Sequence, residues 1–246
     1  MENLKENERI DDLEYKGLKI IQNKEGFCFG IDSILLSDFA KDIKNNAEVI
    51  DLGTGTGILS ILLTAKTKLK KIYGIEVQKV VADMANRSVS LNHLEEKIEI
   101  INANIKELEK YLKRESFDAI ITNPPYKKLN TGIINECEIK KIARHEIEAN
   151  LNDFIEISFK MLKDKGSFYM IHRTERLVDI ISEMRKSKIE PKEIRFIHSK
   201  VGEKPVLVLI KAIKNGKPFL KVREPLYIYK DNGEYTQEVL EIYHKV

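Results

Sequence analysis

The chain has 246 residues, 42% of them hydrophobic, which is enough for one sizeable core and leaves room for two domains at most. It contains no run of about 18 uncharged apolar residues, its first twelve residues are mostly charged or polar, and Cys28 and Cys137 are its only cysteines. These features argue against a membrane span, a secretory leader, a disulfide framework and a cysteine-rich zinc site, and they suit a reducing cytoplasm.

The net charge of +3 is unevenly spread. Between Lys186 and Lys230 there are twelve Lys or Arg and four Asp or Glu, a local +8, so the remainder carries −5. Such an asymmetry fits either a polyanion-facing C-terminal region or a solvated lysine-rich surface. The five histidines form no H-E-x-x-H or related cluster, so no metal site is expected.

From Ala47 onward, short apolar runs alternate with amphipathic stretches. Val49–Leu52 reads as a buried strand ending at a glycine turn, and Ile58–Ala65 as a helix. Lys71–Glu76 is a second strand and Lys79–Leu91 a helix; Ile98–Ile101 is a third strand and Ile105–Leu112 a helix. Phe117–Ile121 is a fourth strand, stopped by Asn123-Pro124-Pro125. After a polar insertion from Lys127 to about Glu148, a helix capped by Asn152 or Asp153 runs to Leu162. A turn at Lys163–Gly166 leads to a fifth strand, Ser167–His172, and Leu177–Met184 repeats the helical pattern. Glu193–His198 and Val206–Ile213 flank a Gly-Glu-Lys-Pro turn and read as an antiparallel hairpin.

This alternation predicts a doubly wound, mainly parallel α/β sheet, closed at one side by the C-terminal hairpin. Neither an internal repeat nor a low-complexity linker interrupts it. A single domain is expected over 1–246: an N-terminal segment 1–46, a core 47–214 and a C-terminal extension 215–246.

The stretch Asp51-Leu52-Gly53-Thr54-Gly55-Thr56-Gly57 joins a strand to a helix, and its glycines let the backbone approach a ligand that a Cβ would exclude. Glu76 ends the next strand, 19 residues after Gly57, where a carboxylate meets ribose hydroxyls. A P-loop would need Gly-Lys-Ser/Thr where Gly57-Ile58-Leu59 stands. A nicotinamide cofactor usually needs its third glycine at position 58, and its pyrophosphate would be poorly served by Asp51. S-adenosylmethionine has no phosphate and carries a sulfonium and an ammonium, so an acidic residue opening the loop suits it.

In an open α/β sheet, ligands bind beyond the carboxyl ends of the strands, where strand order reverses. With the order 3-2-1-4-5, strands one and four are neighbours, and Asn123-Pro124-Pro125-Tyr126 opens beside the glycine loop. The Asn123 side-chain oxygen and the Pro124 carbonyl can accept hydrogen bonds from the two protons of a conjugated amine and aim its lone pair. Two prolines fix the direction of that carbonyl, and Tyr126 offers a ring on which a planar base can stack. Orientation of this kind supplies roughly 7–11 kcal/mol of barrier lowering.

Taken together, Asp51-x-Gly53-x-Gly55-x-Gly57, Glu76 and Asn123-Pro124-Pro125-Tyr126 resemble the Rossmann-like amino-methyltransferases. Upstream, Phe27-Cys28-Phe29-Gly30-Ile31-Asp32-Ser33-Ile34-Leu35-Leu36 is similar to the segment preceding the core in bacterial tRNA adenine-N6 methyltransferases, which modify the adenine beside the anticodon of a valine tRNA. Ala143-Arg144-His145-Glu146 in the insertion looks like that family too. The resemblance covers about 26–214. It implies a class I methyltransferase sheet of order 3-2-1-4-5-7-6, S-adenosylmethionine as cofactor and tRNA as partner. It further implies that Gly30 to Asp32 closes over the cofactor. Asp51, Gly53, Gly55 and Gly57 would hold the methionine part, Glu76 the ribose and Asn104 the adenine ring, with Val77 a further cofactor-binding residue. Many relatives have Asp at the Asn104 position, although an amide oxygen also accepts from an adenine amine. Arg144 and His145 are either RNA contacts or structural parts of the insertion.

The same four-residue motif serves enzymes that methylate a glutamine side-chain amide in peptide release factors. Those carry a substantial helical domain before the core, whereas about 25 residues precede Gly26 here. Cytosine or guanine amines of ribosomal RNA are a further alternative. A non-catalytic RNA-binding module is a third class, against which the intact Asn123 and Tyr126 argue. Phe27 and Phe29, like Tyr227, Tyr229, Tyr235 and Tyr243, read as packing residues, with base stacking open to any tyrosine that is exposed.

Overall fold

The computed structural model describes residues 4–24, 30–125 and 149–244. Two N-terminal strands, β1 (Glu8–Asp12) and β2 (Lys19–Asn23), form an antiparallel hairpin, followed by helix α1 (Ile31–Phe39). The core then runs β3 (Glu48–Leu52), α2 (Ile58–Lys66), β4 (Lys71–Glu76), α3 (Lys79–Leu91), β5 (Ile98–Asn102), a 3-10 turn (Ile105–Lys110) and β6 (Phe117–Thr122). It continues through α4 (Leu151–Met161), β7 (Leu162–Arg173), α5 (Leu177–Lys186), β8 (Ile189–His198) and β9 (Pro205–Lys214). Two short strands, β10 (Lys221–Val222) and β11 (Leu226–Tyr227), and helix α6 (Gln237–Ile242) complete the chain.

The large sheet has the order β10-β8-β9-β7-β6-β3-β4-β5, with β11 also on β8. Strands β5, β4, β3, β6 and β7 are mutually parallel, and β9 pairs antiparallel with both β7 and β8. Counted from β3, this is the expected order 3-2-1-4-5-7-6. The central strands are buried on both faces, which is why Val49-Ile50 and Ile120-Ile121 read as continuous apolar runs instead of alternating ones. One apolar layer gathers α1, α2 and α6 with Val49 and Ile121; the other gathers α4 and α5 with Ile50, Ile75 and Ile120.

Local corrections have identifiable causes. The helix after the insertion is capped by Asn150, whose side chain accepts from the Asp153 N–H while Asp153 accepts in return. Asp153 is thus the third helical residue of a capping box, not the cap. The segment expected as helix 105–112 closes as a 3-10 turn ending at Lys110. The turn at 163–166 is absorbed into β7 as an irregularity: Phe117 faces Leu162, Ala119 faces Ser167, and Lys165 takes φ +60° between them.

The N-terminal hairpin was not foreseen as strands. It is held to α3 by the forked ion pair of Arg87 with Glu8, at 2.6 and 2.7 Å, by Ser88 accepting from the Ile21 N–H, and by Asn92 bonded to Lys19 in both directions. At the other end, Tyr229, Tyr235 and Tyr243 form a face-to-face stack with ring separations of 5.4 and 5.6 Å, so these tyrosines pack on one another. Among the described residues no helix is long and apolar enough to cross a membrane, and no group of three His, Cys, Asp or Glu side chains is placed to hold a metal.

Candidate active site

Four parallel strands end side by side. Register pairs Leu52 of β3 with Ile75 of β4 on one side and with Thr122 of β6 on the other, and pairs Glu76 of β4 with Asn102 of β5. The residues that follow these ends are therefore neighbours: Gly53 lies between Glu76 and Asn123. The Thr122 hydroxyl, fully buried, donates to the Leu52 carbonyl at 2.8 Å and ties the two central ends together.

The glycine turn is built from backbone conformations that side chains rarely adopt. Gly53, Gly55 and Gly57 have φ of +73°, +58° and +90°, all in the left-handed region. Gly57 is the N-cap of α2. A Cβ at Gly55 would meet nothing within 4 Å, so its backbone faces open space. A Cβ at Gly53 would touch the Phe154 ring at 3.7 Å, which places α4 behind the turn.

Asp51 is 1% exposed. Its Oδ2 accepts from the Thr54 hydroxyl at 2.6 Å and the Ser60 hydroxyl at 2.8 Å, while Oδ1 has no partner among the described residues. Burial pushes its pKa up to about 6, against the opposing effect of the two hydroxyls and with a smaller upward contribution from Glu76. An unsatisfied buried acceptor of this kind favours an incoming cation. Gly74, opposite Asp51 on β4, makes room for the arrangement: a Cβ there would lie 3.0 Å from both outer atoms of Thr54 and 2.7 Å from Ile100 Cδ1.

Glu76 is 7% exposed. Its Oε2 accepts from the Gly55 N–H at 3.1 Å and its Oε1 from the Gln78 N–H at 2.9 Å, so it braces the glycine turn from the neighbouring strand. The Asn102 amide donates to the carbonyls of Glu76 and Val77, at 2.8 and 3.0 Å, and fixes the backbone there. Val77 is 45% exposed at this edge. Asn104 caps the 3-10 turn by accepting from the Lys106 N–H at 2.9 Å, so the oxygen assigned to an adenine amine already has one structural partner.

Asn123 is half-buried, Pro124 buried and Pro125 exposed. Gly30 is the N-cap of α1 and Asp32 lies in its first turn. Tyr126, Arg144 and His145 lie outside the described residues.

The strand ends thus bring together Asp51, the three glycines, Glu76, Val77 and Asn123. Sequence reasoning missed the supporting set Thr54, Ser60, Gly74, Asn102, Thr122 and Phe154. For two of them a signal existed: Thr54 and Ser60 lie three and nine positions after Asp51, within reach of a carboxylate at a strand-to-helix turn.

The donor set fits S-adenosylmethionine. The free oxygen of Asp51 suits an ammonium, the Glu76 carboxylate is an acceptor of the kind ribose hydroxyls need, and the open backbone at Gly55 leaves space for a ligand.

Comparisons with known proteins agree with this geometry. Residues 30–187 match the methyltransferase small domain family. The chain is 25% identical over 229 residues to the tRNA1(Val) (adenine(37)-N6)-methyltransferase of Haemophilus influenzae (strain PittEE), covering 93% of this chain and 94% of that one. It is also 25% identical over 235 residues to the enzyme of the same name from Tolumonas auensis, covering 92% of each. Among solved structures it resembles one described as a predicted O-methyltransferase from Agrobacterium tumefaciens, with TM-score 0.69, 24% identity, and coverage of 87% of this chain and 95% of that chain. At that identity the likeness speaks for the fold. The strand order, the glycine turn braced by Glu76 and the family match over 30–187 place the chain in the methyltransferase small domain family, as an S-adenosylmethionine-dependent methyltransferase.

Proposed function

We propose that the protein methylates N6 of an adenine in tRNA, next to the anticodon, in a reducing cytoplasm. The observation that carries this reading is the Leu52–Thr122 pairing, which sets Asn123 directly beside the glycine turn. The names of the relatives above supply the substrate class.

When bound, S-adenosylmethionine supplies the electrophilic methyl. Asp51 and the turn of Gly53, Gly55 and Gly57 would hold its amino-acid end, Glu76 its ribose hydroxyls and Asn104 its adenine, with Val77 a further cofactor contact. The Asn123 side-chain oxygen and the Pro124 carbonyl accept from the two protons of the substrate amine and aim its lone pair. Pro124 is buried, and the prolines at 124 and 125 restrict the backbone on either side of its carbonyl. Tyr126 is the proposed stacking residue for the target base, and Arg144 and His145 are candidate RNA contacts. The amine's surplus proton leaves to water after transfer, so the site needs no strong general base. Residues 1–46 serve as the segment beside the cofactor, with Gly30 to Asp32 closing over it, and the whole chain acts as one catalytic unit. A base must leave its stack to reach such a pocket, and an unpaired loop base does so at least cost.

The test is incubation with S-adenosylmethionine and tRNA from cells lacking this protein, followed by nucleoside mass spectrometry. N6-methyladenosine in the tRNA is expected. Methyl incorporation into a release-factor peptide or ribosomal RNA, with tRNA unmodified, would overturn the assignment.

A further inference from the structure

The loop between β9 and β10 combines a rigid backbone with an almost wholly exposed aromatic ring. Phe219 is 89% exposed, and its φ of +94° lies in a region that bulky side chains avoid. Such strain persists only where the surroundings fix it. Here the fixing group is Lys192. Its ammonium, which has three donors, reaches three successive carbonyls: Lys217 at 2.9 Å, Pro218 at 3.1 Å and Phe219 at 2.8 Å. The base of the loop is held as well. Asn215 N–H donates to the Lys188 carbonyl and Gly216 N–H to the Ile213 carbonyl, while the Asn215 amide donates to Asp164.

A loop fixed so thoroughly, yet burying nothing, is preorganised for something outside the chain. Its side chains define the chemistry of that partner. Phe219, Leu220 at 42% and Val222 at 58% exposure offer apolar surface. Lys217 and Lys221 flank them in the chain and Lys188 meets the base of the loop through its carbonyl, and among the described residues none of these three forms an ion pair with a carboxylate. Cations around an exposed ring suit a polyanion with planar, stackable faces.

We propose that Phe219 is a stacking platform for an unpaired base of the RNA substrate, flanked by phosphate contacts from Lys188, Lys217 and Lys221. The inference rests on the RNA reading above. Strand register sets the scale. Lys221 faces Glu193, five residues before the carboxyl end of β8, and β8 lies three strands out from β6. Phe219 precedes Lys221 by two residues and β10 lies one strand beyond β8, so at about 3.3 Å per residue and 4.8 Å per strand the ring lies roughly 30 Å from Asn123, toward the amino end of β8. The base it stacks on is therefore several nucleotides from the one methylated.

Phe219→Ala is the direct test, because the ring is exposed and its removal leaves the core intact. With full-length tRNA, KM should rise about tenfold or more, the range of one lost base stack. The kcat and the affinity for S-adenosylmethionine should not change, and Phe219→Trp should restore KM. Lys217→Ala with Lys221→Ala should flatten the salt dependence of tRNA binding. If Phe219→Ala methylates tRNA with unchanged KM, the inference falls while the assigned reaction stands. If neither protein methylates or binds tRNA yet both bind S-adenosylmethionine, the RNA reading itself fails. If Phe219→Ala instead converts a dimer to a monomer in sedimentation, the loop is a contact between copies and the inference is overturned.

Discussion

The Thr122 hydroxyl donates to the Leu52 carbonyl at 2.8 Å, joining the residue before Asn123 to the residue before Gly53. The glycine turn and the Asn123 segment, the proposed cofactor and substrate sides of the site, are thereby held in a single geometry. The bond is buried, and it fixes the spacing between them.

Thr122→Val keeps the shape and removes the donor. The Leu52 carbonyl then lacks that partner, which costs about 1–2 kcal/mol of stability. If the spacing also matters for reaction, kcat should fall about tenfold, equivalent to ~1.4 kcal/mol in the barrier. Affinity for S-adenosylmethionine should stay as it was, and Thr122→Ser should recover kcat. A kcat that follows only the fraction of folded protein would show that the bond is structural alone.

Gly74 tests the support beneath Asp51. In Gly74→Ala the new methyl presses on Thr54 at 3.0 Å and on Ile100 at 2.7 Å. Thr54 must move, and its 2.6 Å bond to Asp51 moves with it. A loss of roughly 1–3 kcal/mol is expected in denaturant unfolding, as for other overpacked sites, together with weaker cofactor binding in calorimetry. Thr54→Ser, which drops the methyl but keeps the hydroxyl, should rescue part of both losses in the double variant. Additive losses would show that Thr54 does not transmit the effect.

Much of this was legible in the sequence, and the exceptions follow a pattern. Glycines at 53, 55 and 57, an acidic residue ending β4 and an Asn-Pro-Pro stop after β6 are local signals, each read within a few residues. The alternation of apolar runs and helices pointed to a doubly wound parallel sheet, and its strand order was what the resemblance to the amino-methyltransferases implied. What stayed hidden depends on contacts across the sheet. Gly74 reads as an unremarkable strand residue until Thr54 is placed above it, and Thr122 reads as the last residue of a strand until Leu52 is its neighbour. The N-terminal hairpin escaped for the same reason: Glu8–Asp12 is polar, with only Glu8 buried, and its order comes from Arg87 about 80 positions away. Asn150 was missed as a cap because Asn152 and Asp153 follow it, and only geometry separates a cap from the third helical residue.

The burial of Asp51 predicts a pH effect whose sign is fixed. Its pKa is raised to about 6 from an ordinary value near 4. In the folded protein without ligand the carboxylate is disfavoured, so its contribution to stability falls as pH rises from about 4 to 6 and is constant above. Cofactor binding should run the other way, because an ammonium prefers the ionised form. Affinity for S-adenosylmethionine is expected to rise with pH up to about 6 and then level off, with a slope approaching one proton below that point. Calorimetry between pH 5 and 8 checks this. Asp51→Asn should abolish the slope; a variant that retained it would assign the proton to another group.

Glu76 and Asn123 lie on opposite sides of Gly53, and their substitution should separate binding from turnover. In Glu76→Gln one oxygen becomes a donor, so either the Gly55 N–H or the Gln78 N–H loses its acceptor and faces an N–H2 group instead. Cofactor affinity should weaken by tenfold or more in this variant, since removing an acceptor from a part-buried N–H costs about 1–3 kcal/mol. Asn123→Ala touches neither bond. It should bind S-adenosylmethionine as the parent does, yet turn over at least about 10²-fold more slowly, because the amine is no longer aimed. Asn123→Asp keeps an acceptor at the same place, so it should retain more activity than the alanine variant at neutral pH. Near-parental turnover in Asn123→Ala would mean that the amine is oriented by the Pro124 carbonyl alone.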